Sequence, residues 1–174
     1  MLPTAGEEVQ ITGPKGRTQY DGRGKFTRRL LKSQGGNNKE ISAKNIGLIA
    51  GGSGLTPMLQ IARQALMDSK DDTKVTMLFA NRTPNDVFLK EQLDDLAKRF
   101  PNRFSVHYTV DSVDEQSNWQ YETGFIDADK CRRLMPAPGE DSVVCCCGPP
   151  PMINKACKPS LREVGHSDER ILTW

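Results

Sequence analysis

No stretch of this 174-residue sequence holds the roughly 18 consecutive apolar residues that a membrane-spanning helix needs. Histidine is scarce, with His107 and His166 its two examples, and zinc sites need paired ligands at short spacing, so no metal centre is expected. Cysteine is present in an odd number, five, and Cys145, Cys146 and Cys147 are consecutive. That pattern excludes a disulfide framework, and reduced thiols predict a cytoplasmic or cytosol-facing setting. Residues 1 to 4 lack the charged and apolar regions of a targeting signal, so any membrane association is expected to come from a part N-terminal to this chain. No internal repeat is present.

Charge is nearly balanced overall, at +2, but unevenly placed. Residues 15 to 44 carry nine Lys or Arg against Asp21 and Glu40, and the rest of the chain is net acidic. Tyr20 and Phe26 are the segment's only aromatics, and no RNA- or DNA-binding motif accompanies it, so no nucleic-acid partner is expected. The charge reads as a solvated face or as a site for anionic partners or phosphates.

From residue 45 onward, apolar runs alternate with helical patterns. Runs at 45–50, 74–80, 104–110, 142–147 and 169–173 read as strands, and 56–67, 86–99, 127–134 and 149–163 as helices. Nearly continuous apolar strands are those of a parallel sheet covered on both faces. The α/β series therefore predicts an open five-stranded parallel sheet whose ligands bind beyond the strands' carboxyl ends. Residues 7 to 27 instead alternate apolar and polar residues between Gly-Pro and Gly-Arg-Gly turns, as antiparallel strands do. The expected division is a β-lobe remnant at 1–30, a linker at 31–44 and an α/β domain at 45–174.

Three segments carry chemistry. In "GGSGLTP", residues 51–57, the glycines clear side chains from the turn after the first strand, and Pro57 sits in the first helical turn, so backbone N–H groups face an anionic ligand. It is not the G-x-G-x-x-G fingerprint, and a plain structural turn is the alternative. In "ANRTPND", residues 80–86, Asp86 either accepts hydrogen bonds from an adenosine ribose and repels a 2′-phosphate, or caps a helix. In "CCCGPPPMI", residues 145–153, a strand ends at Cys147, a glycine allows close approach and three prolines stiffen the helix entry. That turn holds one thiol over the sheet edge, unless Cys147 is a buried, inert residue like most cysteines.

In this order and at these separations the three segments resemble the NADH-binding domain of the cytochrome b5 reductase family, within the ferredoxin reductase-like flavoenzymes. GGSGLTPM is similar to that family's GGTGITPM, CGPPPM to its cysteine-glycine-proline signature, and the closing GHSDERILTW to its C-terminus. The resemblance implies an NADH-dependent flavoprotein reductase with FAD as second cofactor, passing hydride from NADH to the flavin and single electrons to cytochrome b5 or a similar acidic haem protein. It places Thr56 where flavin and nicotinamide meet, and Gly51, Gly52, Ser53, Gly54 and Pro57 under the dinucleotide. Asn81, Arg82, Thr83 and Asp86 fall at the adenosine end, and Cys147, Gly148, Pro149, Pro150 and Met152 around the nicotinamide. Ser53 stands for the family's usual threonine and Trp174, also assigned to cofactor contact, for its terminal phenylalanine. The flavin lobe's Arg-x-Tyr-Ser/Thr strand and Gly-x-x-Ser turn do not occur, so the chain alone is expected to lack flavin. The reductase module of a nitrate reductase or other b5-fusion enzyme, and a non-catalytic NAD-binding regulatory module, are the alternatives.

Overall fold

The computed structural model describes residues 16–30, 35–114 and 116–174. Its first three strands, β1 (Thr18–Gly22), β2 (Lys25–Arg29) and β3 (Asn38–Ser42), form an antiparallel sheet in the order β1-β2-β3. The β1–β2 reversal uses three left-handed residues, Gly22, Arg23 and Gly24, at φ of 93°, 50° and 69°. Gly24 is required there, because a Cβ would lie 1.9 Å from the Ala43 carbonyl oxygen. Residues 38–42, expected in the linker, are strand β3. Ile41 is its one buried side chain, too thin a pattern to show as alternation, and it is fixed by pairing with Phe26 on β2. Residues 7–15 of the segment expected to form antiparallel strands lie outside the described residues.

The remaining strands make one parallel sheet: β4 (Asn45–Gly51), β5 (Lys74–Asn81), β6 (Phe104–Val110), β7 (Glu122–Thr123), β8 (Ser142–Cys147) and β9 (Ile171–Thr173). Their order is β7-β6-β5-β4-β8-β9, every pairing parallel. Five of these strands match the sequence pattern. The sixth, β7, is two residues long and carries no periodicity to detect. The helices are α1 (Leu55–Met67), α2 (Lys90–Arg99), α3 (Ala128–Leu134) and α4 (Lys158–Val164). Leu48, Met77 and Cys145 pack with α1 and α2, while Ile49, Leu78 and Cys146 pack with α3 and α4, so alternate residues of each strand serve opposite layers. None of the described helices is long and apolar enough to cross a membrane.

Two expected helices are broken. Residues 86–99 split into a 3-10 turn, Pro84–Asp86, and α2, with Leu89 left-handed at φ 55° between them. Residues 149–163 begin as a π-helical segment, Met152–Cys157, before α4. Pro159 cannot donate an N–H to the Lys155 carbonyl, which removes one α-type bond where the turn is widened.

Asp71 ties the small sheet to the large one. Its carboxylate, 3% exposed, accepts from Tyr20 Oη at 3.0 Å, Arg23 N at 2.8 Å and Thr73 N at 2.8 Å. Tyr20, Phe26 and Ile41 then join the core that includes α1. Asp71→Ala leaves three donors without their acceptor, so it should cost about 3 kcal/mol and lower the melting temperature clearly. Asp72→Ala, on the exposed next residue, should not; equal melts for the two variants would remove the keystone role.

Candidate functional site

The chain leaves β4 toward β5 on one side, and β8 lies on the other. The carboxyl ends of β4 and β8 are therefore the topological switch point of the sheet, where such folds bind ligands. A cavity of about 890 Å³ opens there. It is bordered by Gly51, the last residue of β4, and Gly52, by Asn81, the last residue of β5, with Arg82 and Asp86 beyond it, and by Pro149 and Met152 after β8. Seven of the sequence-predicted residues thus meet at one cavity. Ser53, Gly54, Thr56, Pro57, Thr83, Cys147, Gly148, Pro150 and Trp174 are not among its lining residues.

The glycines divide by physical role. Gly52 has φ of +50° and nothing within 4 Å of where a Cβ would stand, so it leaves open space at the cavity. Gly54 is the opposite case: its Cβ would lie 2.2 Å from the Cys147 carbonyl oxygen. A Cβ on Gly148 would meet Met152 Cε at 2.6 Å, and one on Gly51 would meet Met152 Sδ at 2.5 Å. Three of the glycines therefore let the turns after β4 and β8 touch, and one clears room for a ligand. The empty cradle at Gly52 fits a dinucleotide backbone.

At the β5 end, Asn81 is buried with its Nδ2 unpartnered. Asp86 accepts from Thr83 N at 2.9 Å and Thr83 Oγ1 at 2.8 Å through one oxygen. This is a capping box, made through that one oxygen, and Asp86 also borders the cavity. The cavity also presents residues that the sequence reading missed: Asp111, Phe125, Pro151 and Lys155 among them. Asp111 follows the last residue of β6, and among the described residues no side chain pairs with its carboxylate. A carboxylate one residue past a strand end was a signal available in the sequence. Phe125 is 74% exposed and had none, because it sits in a connection without periodicity.

Thr56 is exposed on the first turn of α1, its Oγ1 donating to the Ser53 carbonyl at 3.1 Å. Trp174 is exposed, its N–H donating to the Cys146 carbonyl at 3.1 Å. Cys147 is half-buried, and burial raises its pKa. Cys145 and Cys146 are fully buried on opposite faces; burial holds the first well above the usual thiol range, and a bond with Cys157 followed by burial does so for the second. Among the described residues no cluster of His, Cys, Asp or Glu is arranged to hold a metal ion.

The family model described as oxidoreductase NAD-binding domain matches residues 48–158. NADH-cytochrome b5 reductase 1 of Bos taurus is 43% identical over 169 residues, covering 97% of this chain and 54% of the relative. NADH-cytochrome b5 reductase 3 of Rattus norvegicus is 41% identical, covering 97% and 55%. The chain thus spans about half the length of the curated relatives it matches. Among solved structures, the cytochrome b5 reductase domain of Ulva prolifera nitrate reductase matches with a TM-score of 0.84 and 36% identity, over 97% of this chain and 63% of that one.

The two kinds of glycine should separate in mutants. Gly54→Ala forces a methyl into backbone and should cost about 1–3 kcal/mol or more, read in thermal melts. Gly52→Ala meets no atom, should cost only about 1 kcal/mol for its left-handed φ, and should weaken nucleotide binding in a titration. The reverse ranking of stability would overturn this division.

Proposed function

The chain belongs to the oxidoreductase NAD-binding domain family and, within it, to the cytochrome b5 reductases, and on that premise we propose that its switch-point cavity holds NADH, as the nucleotide half of an NADH-dependent flavoprotein reductase. The observation that carries this reading is the Gly52 cradle opening on a cavity of about 890 Å³ at the carboxyl edge of β4. An apolar wall including Phe125 and Met152 suits a purine, and Arg82 and Lys155 supply positive charge for phosphates. Asp111 is the carboxylate we assign to the adenosine ribose, since no side chain among the described residues pairs with it, whereas one oxygen of Asp86 is bonded to Thr83.

FAD is the second group proposed. When bound, it would accept two electrons from the nucleotide and release them singly. Thr56, Cys147 and Trp174 are accessible to a flat ring, and their task would be to set contact distance and exclude water. With its pKa raised, Cys147 stays a neutral thiol at physiological pH and serves as a contact surface, not as a nucleophile.

For an acceptor we propose cytochrome b5 or a similar acidic haem protein, supported by the basic stretch at residues 15–44. Part of that charge is used within the chain, in the pairs Arg23–Asp68 at 3.1 Å, Lys39–Glu169 at 2.7 Å and Lys44–Asp141 at 3.1 Å. The proposed setting is cytoplasmic or cytosol-facing, in keeping with five free cysteines. A second reading, the reductase module of a nitrate reductase, draws on the similarity to the Ulva prolifera domain.

Calorimetric titration of the chain with NADH should show saturable binding at one site; no heat at millimolar nucleotide would sink the proposal. The purified chain should show no flavin absorbance bands. Asp111→Ser should move the NADPH-to-NADH affinity ratio toward NADPH by about tenfold, because a free carboxylate beside a 2′-phosphate repels it. Asp86→Ser should leave the ratio unchanged and cost about 1 kcal/mol of stability as a lost cap. A shift confined to Asp86→Ser would return discrimination to that residue.

A further inference from the structure

We propose that the edge strand β7 and the residues gripping it form a positioning element for the adenosine half of the ligand, acting through Phe125. This rests on the nucleotide reading of the cavity. Phe125 is a cavity-wall residue that is 74% exposed, an unfavourable place for a benzyl group unless a flat partner covers it, and a purine is such a partner. Its placement depends on the three residues before it, because nothing on its own side chain is buried enough to hold it.

Those residues are held more firmly than a two-residue edge strand requires. The Gly124 N–H donates to the Val110 carbonyl at 2.8 Å, and Thr109 Oγ1 donates to the Gly124 carbonyl at 2.8 Å. From α3, Arg133 forks onto the Glu122 carboxylate at 3.0 and 3.2 Å while its Nε donates to Asp129 at 2.8 Å. From α2, Lys90 Nζ lies 4.8 Å from the Tyr121 ring and 5.0 Å from the Tyr108 ring. Trp119 stacks edge-on against Tyr121 at 4.9 Å, and its Nε1 donates to the Glu122 carbonyl at 2.9 Å. Charges at the surface add little to global stability. What these ones share is that each fixes the backbone within four residues of Phe125, and on the other flank of the same connection lies Asp111. Glu122, Arg133 and Lys90 are therefore positioning residues: they touch no ligand and set where the ring stands.

The test uses the whole chain, with AMP and NADH as probes. Glu122→Gln keeps the side chain's size and removes its charge; it should raise the dissociation constants for AMP and NADH by the same factor, about fivefold. In a Phe125→Ala background the same substitution should add nothing, because the residue it acts through is gone. Lys90→Met should behave like Glu122→Gln, and it carries the test if circular dichroism shows the first variant unfolded. AMP bound at wild-type affinity by both single variants overturns the inference. So does a loss on NADH without a loss on AMP, or effects of Glu122→Gln and Phe125→Ala that simply add. Wild-type chain that binds neither AMP nor NADH overturns the nucleotide reading and this inference with it, whereas normal binding with unaffected variants overturns this inference alone.

Discussion

The contact between the Gly54 backbone and the Cys147 carbonyl governs the geometry of the whole site. β4 and β8 are neighbours in register, Ala50 beside Cys147, so the turns that follow them leave the sheet at the same level. Ordinary side chains on those turns would force them apart. With glycine at 51, 54 and 148 they close, and Met152 fills the niche against them. That closure puts the half-buried Cys147 thiol beside the start of α1 and keeps the cavity on the α3 and α4 side of the sheet. Where one glycine has no close neighbour, at Gly52, the same turn opens on the cavity. One short motif thus holds two constraints of opposite kind, contact on one side and vacancy on the other.

Much of this was legible in the residues. β4 and β8 are buried on both faces, and β5 and β6 along much of their length, so they appear as nearly continuous apolar runs, and their bounds came out within a residue or so. β3 and β7 were not legible because their stability comes from partners. β3 offers Ile41 alone to the core, and β7 is two residues pinned by β6, Arg133 and Trp119. The same distinction holds at the site. Gly51, Gly52 and Pro149 stand out by residue type, whereas Phe125 becomes a wall residue only when a connection folds back against β6. Asp86 shows the limit of residue-type reasoning: a carboxylate at a helix start serves capping and ribose recognition equally well in sequence. Its bonds to Thr83 show the capping role, through Oδ2 alone.

The charges around the cavity follow from that distinction. Four charged side chains border it, Arg82, Asp86, Asp111 and Lys155, and counted by type they cancel. What differs is availability: one oxygen of Asp86 is bonded within its own turn to Thr83, whereas no side chain among the described residues pairs with Asp111, and both carboxylates keep their charge beside the two cations. The thiols divide in the same way. Three identical residues in a row are sorted by strand alternation into two layers, and by strand ending into buried and accessible. Cys145 and Cys146 belong to the packing, and Cys147 alone is half-buried, at the carboxyl end of β8.

The antiparallel sheet completes this arrangement from the far side of α1. Tyr20, Phe26 and Ile41 lie in one continuous core with Met58, Ala62 and Leu66, so β1, β2 and β3 are not a separate body resting on the α/β domain. Asp71 explains how a polar connection is tolerated inside that join. Both of its carboxylate oxygens are engaged, by a phenol and two backbone N–H groups, and the Arg103 guanidinium stands 4.0 Å from one of them. Tyr20 pays for its burial in turn by accepting from the Gly24 N–H at 3.1 Å, in the very turn whose glycine lets Ala43 approach. The small sheet is thereby held to α1, the helix that begins at Leu55 directly after the Gly54–Cys147 contact.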